Sequence, residues 1–278
     1  MNSFKKTKAV RVLAKPIVDW RRKRDHEKYL LSPDHFYLQT LKGIHEGKRC
    51  FIIGNGPSLR AEDLDKLKGE YTFASNRIFN IFDKTDWRPS YYVSTDDRIL
   101  KEHQNELANY SLGHMFLSSR FCTIQAPTNV LSRIYDGNCL QLDVDFDRYN
   151  KTSIYISEDV SNHYCDGQTV TFVAIQLAIY MGFKEIYLIG VDHNYSRTVD
   201  ISGKVNVDTA VQDYFDNKRY DNSYPAAVNT AQYAYIIARE YSDAHNIKIF
   251  NATRGGKLEV FERVDFDELM NPYTEEKT

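Results

Sequence analysis

At 278 residues the chain is long enough to bury one large core, and its near balance of 36 Lys and Arg against 38 Asp and Glu leaves no whole-molecule field for a nucleic-acid partner. No stretch approaches the roughly 18 apolar residues of a spanning helix, and no signal-peptide core is present, so the expected body is cytoplasmic. Cys50, Cys122, Cys139 and Cys165 show neither metal-ligand spacing nor a paired motif, which fits a reducing compartment and speaks against zinc, while the twenty tyrosines read as strand and packing-edge residues.

Residues 1–45 read as a basic N-terminal, helical extension. Lys5, Lys6, Lys8, Arg11, Lys15, Arg21, Arg22, Lys23, Arg24 and Lys28 face only Asp19, Asp25 and Glu27 over the first 28 positions. Val10, Leu13, Ile17 and Trp20 recur at helix-compatible spacing among them, a pattern that can lie on the anionic inner face of a membrane. The plain alternative is a solvated arm, or one docked on a partner chain, and Pro16 is expected to interrupt any long helix.

Residues 46–278 read as one nucleotide-binding catalytic domain. The run at 49–53 (RCFII) is a buried strand ended by the turn residues Gly54, Asn55, Gly56, Pro57 and Ser58. A helix is expected over 59–67, a strand over 71–75 ending at Asn76 and Arg77, a third over 91–95 ending at Asp96, Asp97 and Arg98, and a fourth over 114–118. After a polar, poorly patterned stretch near 143–165, an apolar helix is expected over 167–181, stopped at Gly182. The strongest strand, 185–191 (EIYLIGV), runs into Asp192 and His193. Residues 196–222, rich in Asp and Asn, read as a lid-like insertion; a helix over 226–245 and a strand over 247–251 follow. This alternation implies an α/β fold with a doubly wound, mostly parallel sheet, whose ligands sit beyond the carboxyl ends of the strands at the switch point.

Polar residues collect at those strand ends. Gly54 and Gly56 let the backbone turn sharply and approach a ligand, and a helix start after Ser58 offers amides to a phosphate, unless Ser58 caps that helix. There is no Walker lysine and no third glycine of a dinucleotide fingerprint, which disfavours P-loop and generic NAD chemistry. Asp96 and Asp97 have the hard oxygens to hold Mg²⁺ against a diphosphate; the alternative is a helix N-cap followed by an ion pair with Arg98. Asp166, Gly167, Gln168 and Thr169 are either a capped helix start or a second loop presenting amides to an anion. Asp192 and His193 suit acid–base work, since imidazole titrates near neutral pH; His163 is a second imidazole, on an irregular segment. Arg254, Gly255, Gly256 and Lys257 form either an anion loop or a simple polar turn.

The segments FIIGNGPSL, FASNRIF, YYVSTDDR, GFKEIYLIGVDHNY and NATRGGKLEVFERVDF resemble the MptE-like bacterial family found among capsule and lipopolysaccharide biosynthesis proteins, over most of residues 48–268. That family is similar to the flagellin-modifying motility accessory factors and to the small bacterial lipooligosaccharide sialyltransferases. The latter use CMP-activated nonulosonic acids on a modified Rossmann-like sheet without a required metal. A separate branch, the archaeal 6-hydroxymethylpterin diphosphokinases, transfers diphosphate from ATP with Mg²⁺. The resemblance implies that Asn55, in its Gly54–Ser58 turn, and Asn76 touch the nucleotide, that Ser94 and Thr95, with Asp97 nearby, lie at a further nucleotide contact, that Gln168 and Thr169 lie near the donor sugar, and that Asp192 matches the acid after the strong strand. Two positions depart from the sialyltransferase pattern: Asn194 stands where a tyrosine steadies the leaving phosphate, with Tyr195 one later. Aligning Asp221, Asn222 and Ser223 with the lid motif puts Val228 at the position of the base histidine.

The resulting expectation is a glycosyltransferase of surface-polysaccharide or glycoconjugate synthesis with a nucleotide-activated, CMP-linked donor, a glycan or lipid-linked glycan acceptor and no required cofactor. His193 is the expected base, beside Asp192, and Tyr195 with the 55–58 loop stabilises the leaving group. The alternatives are a diphosphokinase using Mg²⁺ on Asp96 and Asp97, and a non-catalytic nucleotide-binding scaffold. Oligomeric state is left open.

Overall fold

The computed structural model describes residues 8–110, 112–137, 154–200, 203–216, 218 and 224–271. Lys5, Lys6, Cys139, Asp221, Asn222 and Ser223 lie outside them, as do the side chains of residues 8–15.

Helix α1 (Lys8–Leu30) runs through Pro16, where an interruption was expected. A proline removes one amide bond of the ladder, and the carboxyl half of α1 is fastened to the body. Tyr29 is buried in the core, and His26 Nε2 lies 2.8 Å from Asn162 Oδ1. Ser32 then caps α2 (Pro33–Thr40), which has a proline in its first turn. Leu38 and Leu41 enter the same core cluster as Tyr29.

The first strand, β1 (Arg49–Ile53), carries no polar side chain after Arg49, and its last four residues are buried. Cys50 and Ile52 face one cluster while Phe51 and Ile53 face the other, so the period-2 alternation of a strand builds two apolar layers. Fully burying an Ile or Phe side chain contributes about 1.5–3 kcal/mol, which makes β1 a rigid base for the loop that leaves it. There follow α3 (Ala61–Lys66), β2 (Tyr71–Ser75), a 3₁₀ segment (Asn76–Ile81), β3 (Tyr91–Ser94), α4 (Asp97–Leu107), β4 (His114–Ser118) and β5 (Leu131–Ile134). The 154–165 stretch has little regular structure and is held from within: Gln176, fully buried on α5 (Val170–Tyr180), accepts from the Ser157 and Cys165 amides and donates to the Cys165 carbonyl at 2.8 Å. Next come β6 (Glu185–Ile189), the antiparallel pair β7 (Arg197–Val199) and β8 (Val205–Val207), α6 (Val228–Ala244), β9 (Lys248–Asn251), β10 (Glu262–Arg263) and α7 (Phe266–Leu269).

The main sheet has eight parallel strands in the order β10-β9-β6-β1-β2-β3-β4-β5, so the expected doubly wound, Rossmann-like α/β fold is present. The chain walks outward from β1 to β5, then returns to the opposite side of β1 as β6. The switch point therefore lies between the carboxyl ends of β1 and β6. At the far edge, the Arg133 amide of β5 donates to Asp34 Oδ1 of α2 at 3.0 Å, and the Arg133 guanidinium pairs with the same carboxylate at 3.3 Å. This gives an edge amide an internal acceptor.

Candidate functional site

The loops that leave β1 and β6 are laced together at the switch point. The Gly54 amide donates to the Ile189 carbonyl at 2.8 Å and the Gly56 amide to the Gly190 carbonyl at 2.9 Å. A Cβ at Gly54 would meet the Gly190 carbonyl, and one at Gly56 would meet the Asp192 carboxylate. The two glycines thus permit backbone contact between the loops. Strand β6 stops at Ile189 because Gly190 turns to φ +63°. Beyond it, Asp192 Oδ2 accepts from Ser58 Oγ at 2.7 Å and from the Ser58 amide at 3.4 Å.

That bonding changes the expected role of the loop. Helix α3 begins at Ala61, two residues late, with Arg60 as an N-cap that makes no side-chain bond, so Ser58 caps nothing. The amides of residues 54, 56 and 58 all point into the fold, and Pro57 has none. The loop offers a ligand Asn55 rather than a row of amides. Asn55 Nδ2 donates to the Ser75 carbonyl at 3.0 Å, while its buried Oδ1 has no hydrogen-bond partner. On the next strand end, Asn76 Oδ1 accepts from Ser94 Oγ at 3.1 Å and the Asn76 carbonyl accepts from the Tyr92 hydroxyl at 2.7 Å. Asn55, Asn76 and Ser94 therefore form one polar row across β1, β2 and β3, with Thr95 half-buried just after it.

His193 lies beside Asp192, buried; neither ring nitrogen makes a well-formed hydrogen bond, and Gln232 is the polar side chain that acts on the ring. Its ring meets those of Tyr195 and Tyr235 edge-on, at 5.8 and 5.5 Å between centroids. Thr169 Oγ1 reaches the same Tyr235 hydroxyl at 3.3 Å. Burial lowers the His193 pKa, with Gln232 opposing, and raises that of Asp192 against the pull of the Ser58 bonds. Burial also raises the Tyr195 phenol, which stays protonated and able to donate.

Asn76, Gln168 and His193 all have positive φ, at 49°, 59° and 51°, and among the described non-glycine residues only Asn246 shares this. The left-handed region costs a side-chain-bearing residue about 1–3 kcal/mol and collects at functional sites. Its appearance at three strand-end or loop residues singled out from sequence is a backbone signature that no residue pattern displays.

Other expected site residues lie differently. Gln168 is exposed, its amide turned onto Asp166 at 3.0 Å; Thr169 precedes α5 without a side-chain cap bond, and Asp166 caps nothing. Asp96 is the N-cap of α4, accepting from the Arg98 and Ile99 amides, and Asp97 pairs with Lys101 at 2.8 Å rather than with Arg98. Both carboxylates are thereby engaged in holding α4, a poor fit to a Mg²⁺ site. Val228, aligned with a base histidine, is the first residue of α6. His163 packs on Tyr155 and Asn162, and none of these contacts is with the crevice.

The described residues between 196 and 216 contribute more than their composition suggested. Asp213 accepts from the amide and hydroxyl of Ser196, the Phe215 amide donates to the Asn55 carbonyl at 3.1 Å, and Asn80 Nδ2 reaches Asp216 at 2.9 Å. Phe215, Tyr235 and Gly190 were not singled out from sequence; only the apolar face of α6 hinted at Tyr235.

The 251–258 loop is structural at its cation. Arg254 pairs with Asp63 and, at 2.8 Å, with Asp267, whose carboxyl is pulled down to about 2 by Arg254 and Lys66. Gly256 packs against the Asp192 backbone and the Lys257 amide donates to the Asp192 carbonyl at 2.7 Å. Arg254→Leu strands the buried Asp63 carboxylate. Because Arg254 is 27% exposed, we expect a cost nearer about 1–3 kcal/mol than the larger loss of a fully buried pair. Thermal denaturation should show a fall of roughly 2–6 °C with nucleotide affinity unchanged; weakened affinity at unchanged stability would instead make this an anion loop.

No curated protein matches the chain. In structure it is similar to the MAf glycosyltransferase of Magnetospirillum magneticum AMB-1, at 15% identity and a TM-score of 0.46, over 84% of this chain but only 38% of that one. It is also similar to the sialyltransferase CstII of Campylobacter jejuni in complex with cytidine-5'-monophosphate, at 18% identity and a TM-score of 0.37, over 79% of this chain and 85% of that one. The family described as 6-hydroxymethylpterin diphosphokinase MptE-like matches residues 28–198, a span holding the β1 loop, the polar row, Asp192 and His193, and the chain belongs to this MptE-like family.

Proposed function

We propose that the protein is a glycosyltransferase of bacterial surface-glycan synthesis, taking a nucleotide-activated, CMP-linked sugar donor in the β1–β6 crevice and passing the sugar to a glycan or lipid-linked glycan. The observation that carries this reading is His193: a buried imidazole with no well-formed hydrogen bond at either nitrogen, Gln232 being the polar side chain that acts on it, held in left-handed backbone at the switch point. An under-satisfied buried polar group costs up to about 1–3 kcal/mol, a cost that a fold tolerates where a ligand later completes the partners. Held neutral by burial, His193 accepts the proton of the acceptor hydroxyl at a ring nitrogen as that oxygen bonds to the anomeric carbon. The bond from that carbon to the donor phosphate breaks, and its electron pair leaves with the nucleotide. The protonated phenol of Tyr195 donates to the departing phosphate. Asn55, Asn76 and Ser94, the residues on which the motif resemblance falls, hold the nucleotide along the polar row.

The diphosphokinase description of the family favours a second reading, diphosphate transfer from ATP. That chemistry needs Mg²⁺ and carboxylates free to bind it, whereas Asp96 and Asp97 are committed to α4. Calorimetry and thermal shift with CMP, CDP, UDP, GDP, ADP and ATP, each with and without Mg²⁺, separates the two. We expect a metal-independent response to the cytidine nucleotides, worth about 2.7 kcal/mol of added stability at a hundredfold excess over Kd. A response to ATP alone, and only with Mg²⁺, overturns the proposal.

A further inference from the structure

The outward side of α1 is built unlike a solvated helix. Its inner side is occupied: Tyr29 lies in the core, His26 contacts Asn162, and the Tyr135 hydroxyl donates to the Arg22 carbonyl. Its outer side presents Ile17 and Trp20, each 58% exposed, and the chain leaves the helix through Leu31 at 77%. At 3.6 residues per turn, Ile17, Trp20, Arg21, Arg24 and Lys28 fall within an arc of roughly 100°. Large apolar side chains and cations therefore share one stripe instead of separating onto opposite faces. The Arg24 guanidinium lies over the Trp20 ring, 4.7 Å from its centroid.

Charge identifies what this stripe fits. Between residues 17 and 31, Arg21, Arg22, Lys23, Arg24 and Lys28 outnumber Asp19, Asp25 and Glu27, and the preceding sixteen positions add Lys5, Lys6, Lys8, Arg11 and Lys15 with no carboxylate. The whole chain nonetheless carries a formal charge of −2, so positive charge is segregated onto this one segment. Pairing α1 with a second copy would set Arg21, Arg24 and Lys28 against the same cations. An anionic bilayer offers both what the cations need and an interfacial layer that accepts Trp and aliphatic side chains. We infer that the outer stripe of α1 docks the protein on an anionic membrane surface, with Trp20 and Ile17 in the headgroup layer and Arg21, Arg24 and Lys28 on lipid phosphates. This rests on α1 alone and holds whatever reaction the crevice performs.

The protein carries its own reporter. Of the two tryptophans, Trp87 is 2% exposed in the core, so a change in emission on binding reads Trp20. The full chain is mixed with phosphatidylcholine vesicles, or with vesicles in which about a third of the lipid is phosphatidylglycerol. We expect sedimentation and a blue shift with the anionic vesicles only, reversed by salt. Trp20→Phe should abolish the shift while sedimentation persists. The triple variant Arg21→Gln, Arg24→Gln, Lys28→Gln should lower partitioning on the order of 100-fold with an unchanged circular dichroism spectrum. The inference is overturned by protein that stays in the supernatant with unshifted emission, or by equal partitioning onto neutral vesicles. A lipid-free blue shift that tracks a concentration-dependent doubling of mass also overturns it, since a second copy then covers the stripe.

Discussion

Replacing His193 by Asn lowers turnover by about 10²–10⁴-fold, with CMP affinity largely retained. Asn is the informative substitution because it tolerates the left-handed backbone found at φ 51°, whereas Ala would confound loss of the base with backbone strain. The pH profile gives the second readout. Burial lowers the His193 pKa below its ordinary 6.5, so the wild-type kcat/KM should climb on an acid limb centred below that value and be flat at neutral pH. The variant should lack this limb. The same shift has a sign in stability: the unfolded chain takes up the proton first, so the contribution of His193 is complete above about pH 6.5 and is lost as the pH falls towards the folded-state value. A variant that keeps full turnover and an unaltered acid limb would remove His193 from the reaction.

Gly56→Ala produces the second large effect, through packing. Its new methyl group falls on the Asp192 carboxylate and within 2.8 Å of the Gly190 carbonyl. The carbonyl is backbone and cannot swing away, and the carboxylate is held by Ser58. Overpacking of this kind costs about 1–3 kcal/mol, or roughly 2–6 °C in the thermal midpoint of a chain this size. Because the displaced groups are the two loops of the crevice, nucleotide affinity should fall with it. Asp192→Ala in the Gly56→Ala background clears one of the two clashes and should recover part of the thermal loss. Full stability and affinity in Gly56→Ala would mean that the β1 and β6 loops do not approach as described.

The sheet was legible because its strands are short apolar runs closed by turn residues: 49–53, 71–75 and 114–118 form over the expected spans. The strand expected to reach residue 191 stops at Ile189, since a glycine inside an apolar run does not announce a positive φ. Strand β5 escaped notice because LSRI puts Ser132 and Arg133 where a core strand would be apolar; as an edge strand it needs only one partner, and Arg133 is satisfied by Asp34, 99 residues earlier. Such long-range satisfaction has no local signature. The site was legible as a set of strand ends, but not as a geometry. That Asp192 would take Ser58 away from its helix, or that Tyr235 would face His193, depends on which loops touch. Asp96 and Asp97 left two readings open for the converse reason: an N-cap and an i,i+4 pair use the same residue types as a metal site.

The contact between α2 and β5 governs how this protein can be handled. A shortened version beginning at residue 46 would discard the basic segment, and with it Asp34, Tyr29, Leu38 and Leu41. It would bare core side chains and leave the outermost strand of an eight-stranded sheet with an unanswered amide, a template on which one molecule can stack against the next. Release from lipid is therefore better sought by substituting Trp20, Arg21, Arg24 and Lys28 on the outer stripe than by a cut, because a cut that removes them also takes Arg22 and His26, which hold the helix to the body.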